Sequence, residues 1–155
     1  METLRASFES PLGLVSVDSR DGKITGLYWG QKAKLGNDCT PVLVEAQRQL
    51  EAYFNGELMV FELPLHVNGS DFQRAVCDAM LAIPLGETRT YGDLAHDLDA
   101  SAQAVGNACG GNPIPIIIPC HRVLGATSLG GFSGAGGVES KVWLLKHEKA
   151  AGLLI

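Results

Sequence analysis

Residues 112–123 read NPIPIIIPCHRV, with prolines at positions 113, 115 and 119. Because proline fixes φ and lacks a backbone donor, this stretch cannot form a regular helix or a central strand. We therefore predict an ordered, apolar loop that carries a cysteine, with a histidine next to it and an arginine beyond. Such a loop restricts the cysteine and can preorganise its thiol for chemistry.

The candidate nucleophile in this loop is Cys120, which His121 follows directly. The thiolate is the reactive form of cysteine; its unperturbed pKa is about 8.5, and a nearby imidazole raises the thiolate fraction at neutral pH. Because a histidine at i+1 often points away from its neighbour, we expect any proton transfer between them to pass through a water molecule. On these residues alone, a buried and inert cysteine is the favoured interpretation.

Two short helices are predicted upstream of the loop. The sequence TYGD at 90–93 starts a helix that runs to about Leu98, and residues 101–109 form the next helix after a brief turn. Two short helices joined by a few residues indicate a helix-turn-helix. The second helix is nearly bare on one side, where its residues are Ala102, Ala104, Gly106 and Ala108. That bare side permits either close packing against another helix of the protein or close approach to a nucleic-acid groove. The spacing alone favours packing within the protein.

The first 65 residues predict a small antiparallel sheet followed by a helix. Asp21-Gly22 is a strong hairpin signal between β-prone runs. Thr40-Pro41 then marks the start of a helix that ends at Asn55-Gly56. We expect residues 58–65 to return as a strand. We find no pattern of catalytic residues in this half.

A longer helix opens the second half of the chain. The sequence SDFQ at 70–73 has the pattern of a capping box, and apolar residues recur at helical spacing until Pro84. We therefore divide the chain into an N-terminal sheet-plus-helix domain, residues 1–66, and a C-terminal domain, residues 70–155.

Composition and charge limit the classes of function. The chain has 155 residues, of which 46% are hydrophobic and 19% charged, and this excludes disorder. No apolar run approaches the roughly 20 residues of a membrane span, and the start lacks the pattern of a secretion signal. We expect a cytoplasmic protein without membrane association. The net charge is −5, so no global positive field draws the chain to a polyanion.

The cysteine spacing predicts reduced thiols and no metal site. The four cysteines, at positions 39, 77, 109 and 120, form no CxxC pair. In the N-terminal half only Cys39 and His66 offer ligands that zinc favours, which is too few for a four-ligand site.

Several motifs together resemble the signature of the O6-alkylguanine-DNA alkyltransferases. The most specific is PCHRV at 119–123, preceded by AVGNA at 104–108 and NP at 112–113. The similarity continues, in the same order along the chain, through FQ at 72–73, TYGDLA at 90–95, GGFSG at 130–134 and KVWLLKHE at 141–148. The similarity covers nearly all of the chain from residue 70 onward. The N-terminal half is compatible with the family only in its length and in the general pattern of its predicted elements.

This resemblance implies an α+β fold, in which a small ribonuclease-H-like α/β domain precedes a helical domain with a winged-helix-like helix-turn-helix. It implies a monomer that binds double-stranded DNA in the minor groove and flips the target base out of the duplex. The alkyl group of O6-alkylguanine, with O4-alkylthymine as a second candidate, then moves to a cysteine of the protein, which is consumed. No cofactor is implied.

Carried over residue by residue, the resemblance assigns the chemistry to a small set of side chains. Cys120 is the alkyl acceptor, His121 takes the thiol proton through a water, and Glu148 orients the imidazole. Asn112 holds the cysteine loop, and Tyr91 donates to the flipped base as charge develops on the leaving guanine.

The remaining assignments concern DNA and the pocket for the base. The residues expected to contact DNA are Tyr91, Gln103, Ala104, Gly106 and Arg122. The residues expected to line the base pocket are Tyr91, Val123 and Ser133. The glycine-rich stretch 134–138 is longer than in many relatives.

One position departs from the family pattern. Relatives place an arginine before Ala-Val-Gly, where this chain has Gln103, and glutamine brings no charge and less stacking area. Residues 69–155 also hold six Lys and Arg against eight Asp and Glu, so we expect weak duplex binding at physiological salt.

Two other functions compete with alkyl transfer. A non-catalytic sensor would bind alkylated DNA and recruit other repair, but such relatives replace the cysteine that this chain retains as Cys120. A cysteine hydrolase would turn over an acyl substrate with Cys120 and His121, and it would leave the helix-turn-helix without a purpose.

Overall fold

A three-stranded antiparallel sheet forms the start of the chain in the computed structural model, which describes residues 2–30, 37–132 and 137–150. The strands are β1 (Leu4–Ser10), β2 (Gly13–Arg20) and β3 (Lys23–Trp29), paired in that order. Asp21 and Gly22 both have positive φ, 54° and 75°, as the tight turns of two-residue hairpins require.

Helix α1 (Pro41–Phe54) covers this sheet. It begins at the predicted Thr40-Pro41 signal, and its buried face consists of residues at helical spacing, Leu43, Ala46, Leu50 and Tyr53. These side chains and the inward residues of the strands form the core of the N-terminal unit, residues 1–68.

The strand expected at 58–65 does not form, so that prediction is wrong. Within the described residues this segment makes one isolated bridge, at Leu65, around which Ile24 donates to the Pro64 carbonyl (2.8 Å). The buried Gln49 amide pairs with both backbone groups of Glu62, at 2.9 and 3.0 Å, and so replaces a neighbouring strand. Met59 and Val60 are exposed, so these two side chains contribute no buried apolar surface that would hold a strand against the core.

The C-terminal unit, residues 69–155, is mainly helical. Its elements in chain order are α2 (Asp71–Leu81), β4 (Arg89–Thr90), α3 (Tyr91–Leu98), α4 (Ala102–Gly110), a single 3-10 turn at Cys120–Arg122, β5 (Val123–Leu124) and α5 (Val138–His147). Strands β4 and β5 form a short parallel pair.

Side-chain caps start α2, α3 and α4 of this unit. Thr90 forms a complete capping box with Asp93. Ser70 accepts from the Gln73 backbone, but the Gln73 side chain donates instead to the Ala108 carbonyl (2.9 Å), so the box predicted there is only half formed and Gln73 ties α2 to α4. Asp99 ends α3 with a φ of 52°, and α3 packs on α4 as the predicted helix-turn-helix. The α+β class is confirmed.

Among the described residues, none of the helices has the length and apolar character needed to cross a membrane.

Candidate functional site

The predicted loop before Cys120 is ordered by its own polar side chain. Asn112 donates to the Ile118 carbonyl (2.8 Å) and accepts from the Ile114 backbone (3.0 Å), so one amide closes the loop across itself. The isoleucines at 114, 116, 117 and 118 are at most 2% exposed. Their burial anchors the loop, and Asn112 therefore lies where it can hold Cys120 in place.

Cys120 faces a cavity of about 310 Å³. This volume lies in the range of small-ligand pockets. The cavity is lined, besides Cys120, by Tyr91, Gly106, Cys109, Gly110, Gly131 and Phe132. Three of these residues are glycines, which present only backbone to the cavity, and two, Tyr91 and Phe132, are aromatic. The cavity can therefore accept a flat, partly polar ring beside the thiol.

Behind the thiol lies a buried ionic cluster centred on Glu148, which is 4% exposed. The Glu148 carboxylate contacts His121 Nε2 at 2.6 Å. It also accepts from Arg122 Nε (2.8 Å) and Nη2 (3.2 Å). Arg122 Nη1 donates to the Ile83 carbonyl (2.6 Å), so the guanidinium links the segment just after α2 to Glu148.

The electrostatics of this cluster determine the form of His121. Burial lowers the pKa of His121, so its imidazole is neutral at pH 7. Burial opposes ionisation of Glu148, but hydrogen bonds from His121 and Arg122 outweigh it and lower the pKa of Glu148 to about 2. A neutral imidazole facing a carboxylate donates its Nε2–H, which leaves the lone pair on Nδ1.

His121 Nδ1 is buried and has no hydrogen-bond partner among the described residues. Nδ1 can therefore act as a base, while the Glu148 carboxylate orients the ring through Nε2. Burial raises the pKa of the Cys120 thiol, although the Asn112 amide and the Lys141 ammonium act in the opposite direction. The thiol thus needs a nearby base, and the arrangement can activate a cysteine nucleophile.

The sequence interpretation missed Lys141. This residue of α5 is fully buried, and its Nζ donates to the carbonyls of Val123 (2.6 Å) and Gly131 (3.0 Å). The available signal was its position three and four residues before the buried Leu144 and Leu145, which places it on the apolar face of the helix. Cys109, Gly110, Gly131 and Phe132 of the cavity wall were missed as well.

The structure places Arg122, an expected DNA contact, in the buried ionic cluster. Only 7% of this residue is exposed, and three of its five N–H groups donate to Glu148 and to the Ile83 carbonyl. Val123 is fully buried and is not among the residues that line the cavity. Ser133 lies outside the described residues.

The other expected DNA contacts lie on or beside α4. Gln103 is exposed, while Ala104 and Gly106 are half-buried. Tyr91 is also half-buried and lines the cavity together with Gly106. Gly106 therefore brings α4 to the wall of the cavity that contains Cys120, while Gln103 of the same helix is exposed.

Comparisons with known proteins cover almost the whole chain. The model of the ribonuclease-like domain of 6-O-methylguanine DNA methyltransferase matches residues 3–67, and that of its DNA-binding domain matches residues 71–150. The chain is 43% identical to the methylated-DNA--protein-cysteine methyltransferase of Methanosarcina acetivorans over 152 residues, which covers 92% of this chain and 96% of that protein. It is 42% identical to the protein of the same name from Mycolicibacterium paratuberculosis, with 91% and 89% covered.

Solved structures agree with these matches. The O6-methylguanine methyltransferase of Mycobacterium tuberculosis superposes with a TM-score of 0.83 at 38% identity, covering 99% of this chain and 97% of that one. The structure of Mycobacterium tuberculosis OGT in complex with DNA has the same TM-score at 41% identity, with 94% and 92% covered. The expected ribonuclease-like and DNA-binding parts of the fold are confirmed.

Proposed function

The chain belongs to the 6-O-methylguanine DNA methyltransferase family, and from this premise we propose that it repairs DNA by moving the alkyl group of O6-alkylguanine to its own Cys120. O4-alkylthymine is a second substrate under this proposal. The observation that carries it is the thiol of Cys120 at a 310 Å³ cavity, with the oriented base His121 behind it.

The proposed reaction is a displacement at carbon. His121 Nδ1 takes the thiol proton through a water, and Glu148 stabilises the imidazolium that results. The thiolate of Cys120 attacks the alkyl carbon, the bond from that carbon to O6 breaks, and its electron pair stays on guanine. Tyr91, which lines the cavity, donates a hydrogen bond to the leaving base as negative charge develops on it, and the repaired guanine takes its proton from water.

The product explains why the protein would act once. Attack at carbon leaves a thioether on Cys120, which water does not readily cleave. We therefore propose one transfer per molecule, by a monomer, because Cys120, His121 and Glu148 all come from the same chain. The test is a titration of duplex DNA containing O6-methylguanine: repaired lesions should level off at one per protein molecule, whereas continued turnover would exclude irreversible transfer.

We assign base entry to the bare side of α4. A base within the duplex cannot reach a buried thiol, so the lesion has to be flipped into the cavity. Small residues such as Ala104 and Gly106 let the helix backbone lie deep in the minor groove, and exposed Gln103 reaches the space that the flipped base leaves.

Gly106→Ala should separate stability from activity. A Cβ at Gly106 meets nothing within 4 Å, so the variant should gain up to about 1 kcal/mol of stability from helix propensity. The added methyl group projects at the cavity wall and should slow transfer by about tenfold or more. Denaturant unfolding and single-turnover transfer measure the two effects. Gly92→Ala is the control, because Gly92 is an exposed glycine of α3 that does not line the cavity; unchanged transfer by Gly106→Ala would contradict this entry route.

A lesion sensor is the second candidate, because cations are scarce at the expected DNA surface. Gln103 is uncharged, Arg122 is buried, and Arg89 is engaged by Asp93 and Asp97. A protein with such weak phosphate contacts would depend on the flipped base for its affinity.

Gln103→Arg should tighten duplex binding. One added cation at this exposed position should raise the slope of log affinity against log salt by about 1 in magnitude. Fluorescence anisotropy over a salt series measures this effect. Gln103→Met removes the amide without adding charge and should leave the salt slope unchanged. An identical slope for the arginine variant would show that this position does not face phosphate.

A further inference from the structure

The ammonium group of Lys141 is buried without a carboxylate. Its Nζ donates to two main-chain carbonyls, those of Val123 (2.6 Å) and Gly131 (3.0 Å), and no Asp or Glu of the described residues lies within ion-pair distance. Burial lowers the pKa of Lys141 to about 8, so the group still carries its proton at pH 7. A buried cation with only dipoles around it is costly, which indicates that an anion balances it at some stage.

The position of Lys141 places it at the cavity. Gly131, whose carbonyl accepts a hydrogen bond from Lys141, lines the cavity. The Lys141 Nζ also lies 5.8 Å from the ring centroid of Tyr91, another residue of the cavity wall. Val123, its other partner, follows Cys120 by three residues.

The ionisable groups around Lys141 include two thiols. Cys109 on α4 and Cys120 on the loop interact electrostatically with it, and its charge also acts on His121. Tyr91 on α3 lies beneath it. Burial raises the pKa of Cys109 to about 12, so this thiol stays protonated at pH 7. Cys120 is therefore the one member of this group that the proposed reaction converts to an anion.

We propose that the Lys141 ammonium is the counter-charge of the Cys120 thiolate, and that it promotes alkyl transfer through its positive charge in addition to bridging two backbone segments. The inference rests on the proposed role of Cys120. It assigns His121 the transfer of the proton and Lys141 the stabilisation of the thiolate that remains. Methyl transfer then turns the anion into a neutral thioether, which leaves the cation without its partner.

Three substitutions separate charge from bridging. Lys141→Arg keeps a cation and donors, Lys141→Gln keeps an N–H donor without charge, and Lys141→Met keeps neither. Lys146→Met, on the exposed side of the same helix, is the matched control. The probe is iodoacetamide, and the rate of carbamidomethylation at Cys120 is followed by mass spectrometry from pH 5 to 10. No DNA is required. Trypsin leaves Cys109 and Cys120 together on the peptide 90–122, so fragment ions of that peptide assign the modified thiol, while Cys39 and Cys77 lie on other peptides.

Loss of the charge should raise the pKa of Cys120 by about one and slow its alkylation at pH 7 about tenfold. We expect this result for both Lys141→Gln and Lys141→Met, while Lys141→Arg and Lys146→Met stay close to the unchanged protein. If Lys141→Gln titrates like the unchanged protein, lysine acts as a structural bridge and the inference is overturned. If Lys141→Met does not fold, the glutamine and arginine variants still decide between the two roles.

The same samples separate this inference from the proposed function. A protein that accepts methyl from DNA but shows no dependence of the Cys120 titration on Lys141 would contradict the inference alone. A protein whose Cys120 never accepts methyl from DNA would contradict the proposed function, whatever the titration shows.

Discussion

Replacing Glu148 by alanine is expected to lower the free energy of unfolding by about 3–5 kcal/mol, because breaking a buried ion pair leaves an uncompensated charge. Glu148 is 4% exposed and bonds both His121 and the guanidinium of Arg122. Without the carboxylate, Arg122 stays buried with only the Ile83 carbonyl as its identified partner. Urea unfolding followed by circular dichroism measures the loss.

The pH dependence of stability provides a second test of Glu148. Its pKa in the folded protein is about 2, below the ordinary value of 4.5, so the ionised form is favoured by folding. This contribution is complete above pH 4.5 and is lost as the pH falls toward 2. Glu148→Ala should therefore lose part of the acid sensitivity of the unchanged protein.

Glu139→Ala is the control, because Glu139 lies exposed in the first turn of the same helix. Its cost should stay below about 1 kcal/mol, the size of a helix-dipole interaction at the surface. A similar small cost for Glu148→Ala would show that the ionic cluster does not hold the last helix to the site.

His121→Gln should slow methyl transfer at pH 7 by about 10²–10⁴, the usual contribution of a general base. Glutamine can still donate to Glu148, but its amide does not accept a proton as Nδ1 of the neutral imidazole does. Because burial raises the pKa of Cys120, little thiolate forms at pH 7 without this base. The deficit should shrink as the pH rises and hydroxide removes the thiol proton directly.

Single-turnover transfer from a methylated duplex, measured between pH 6 and 10, tests this prediction. His96→Gln is the matched control, since His96 is exposed on α3 and the site does not use it. A deficit for His121→Gln that stays constant over the whole pH range would assign His121 a structural role and would remove it from the proton transfer.

Local signals in the sequence predicted most of the fold. The Asp21-Gly22 turn and the helix start at Thr90 depend on residues only a few positions apart, so the sequence pattern predicts both, and the structure contains both. The strand at 58–65 failed because its hydrogen-bonding partner is a side chain: the Gln49 amide, which comes 13 positions before Glu62, takes up the backbone groups of Glu62.

The same contrast between local patterns and distant partners explains why only part of the site was predicted. Cys120 and His121 are adjacent and stood out by their motif, whereas the burial of Arg122 depends on the Ile83 carbonyl, 39 positions away. No local pattern reveals that partner, so the sequence did not predict that Arg122 is buried. Lys141 was overlooked because a lysine on a helix is usually solvated, and only its apolar neighbours indicated otherwise.

The central claim is that Cys120 accepts the alkyl group, and the intact mass of the protein tests it most directly. The protein is incubated with duplex DNA containing O6-methylguanine, beside a Cys120→Ala control, and both masses are measured. We predict a gain of one methylene unit per chain in the unchanged protein and no gain in the control. An unchanged mass while the DNA is bound, or the same gain in the control, would contradict the account.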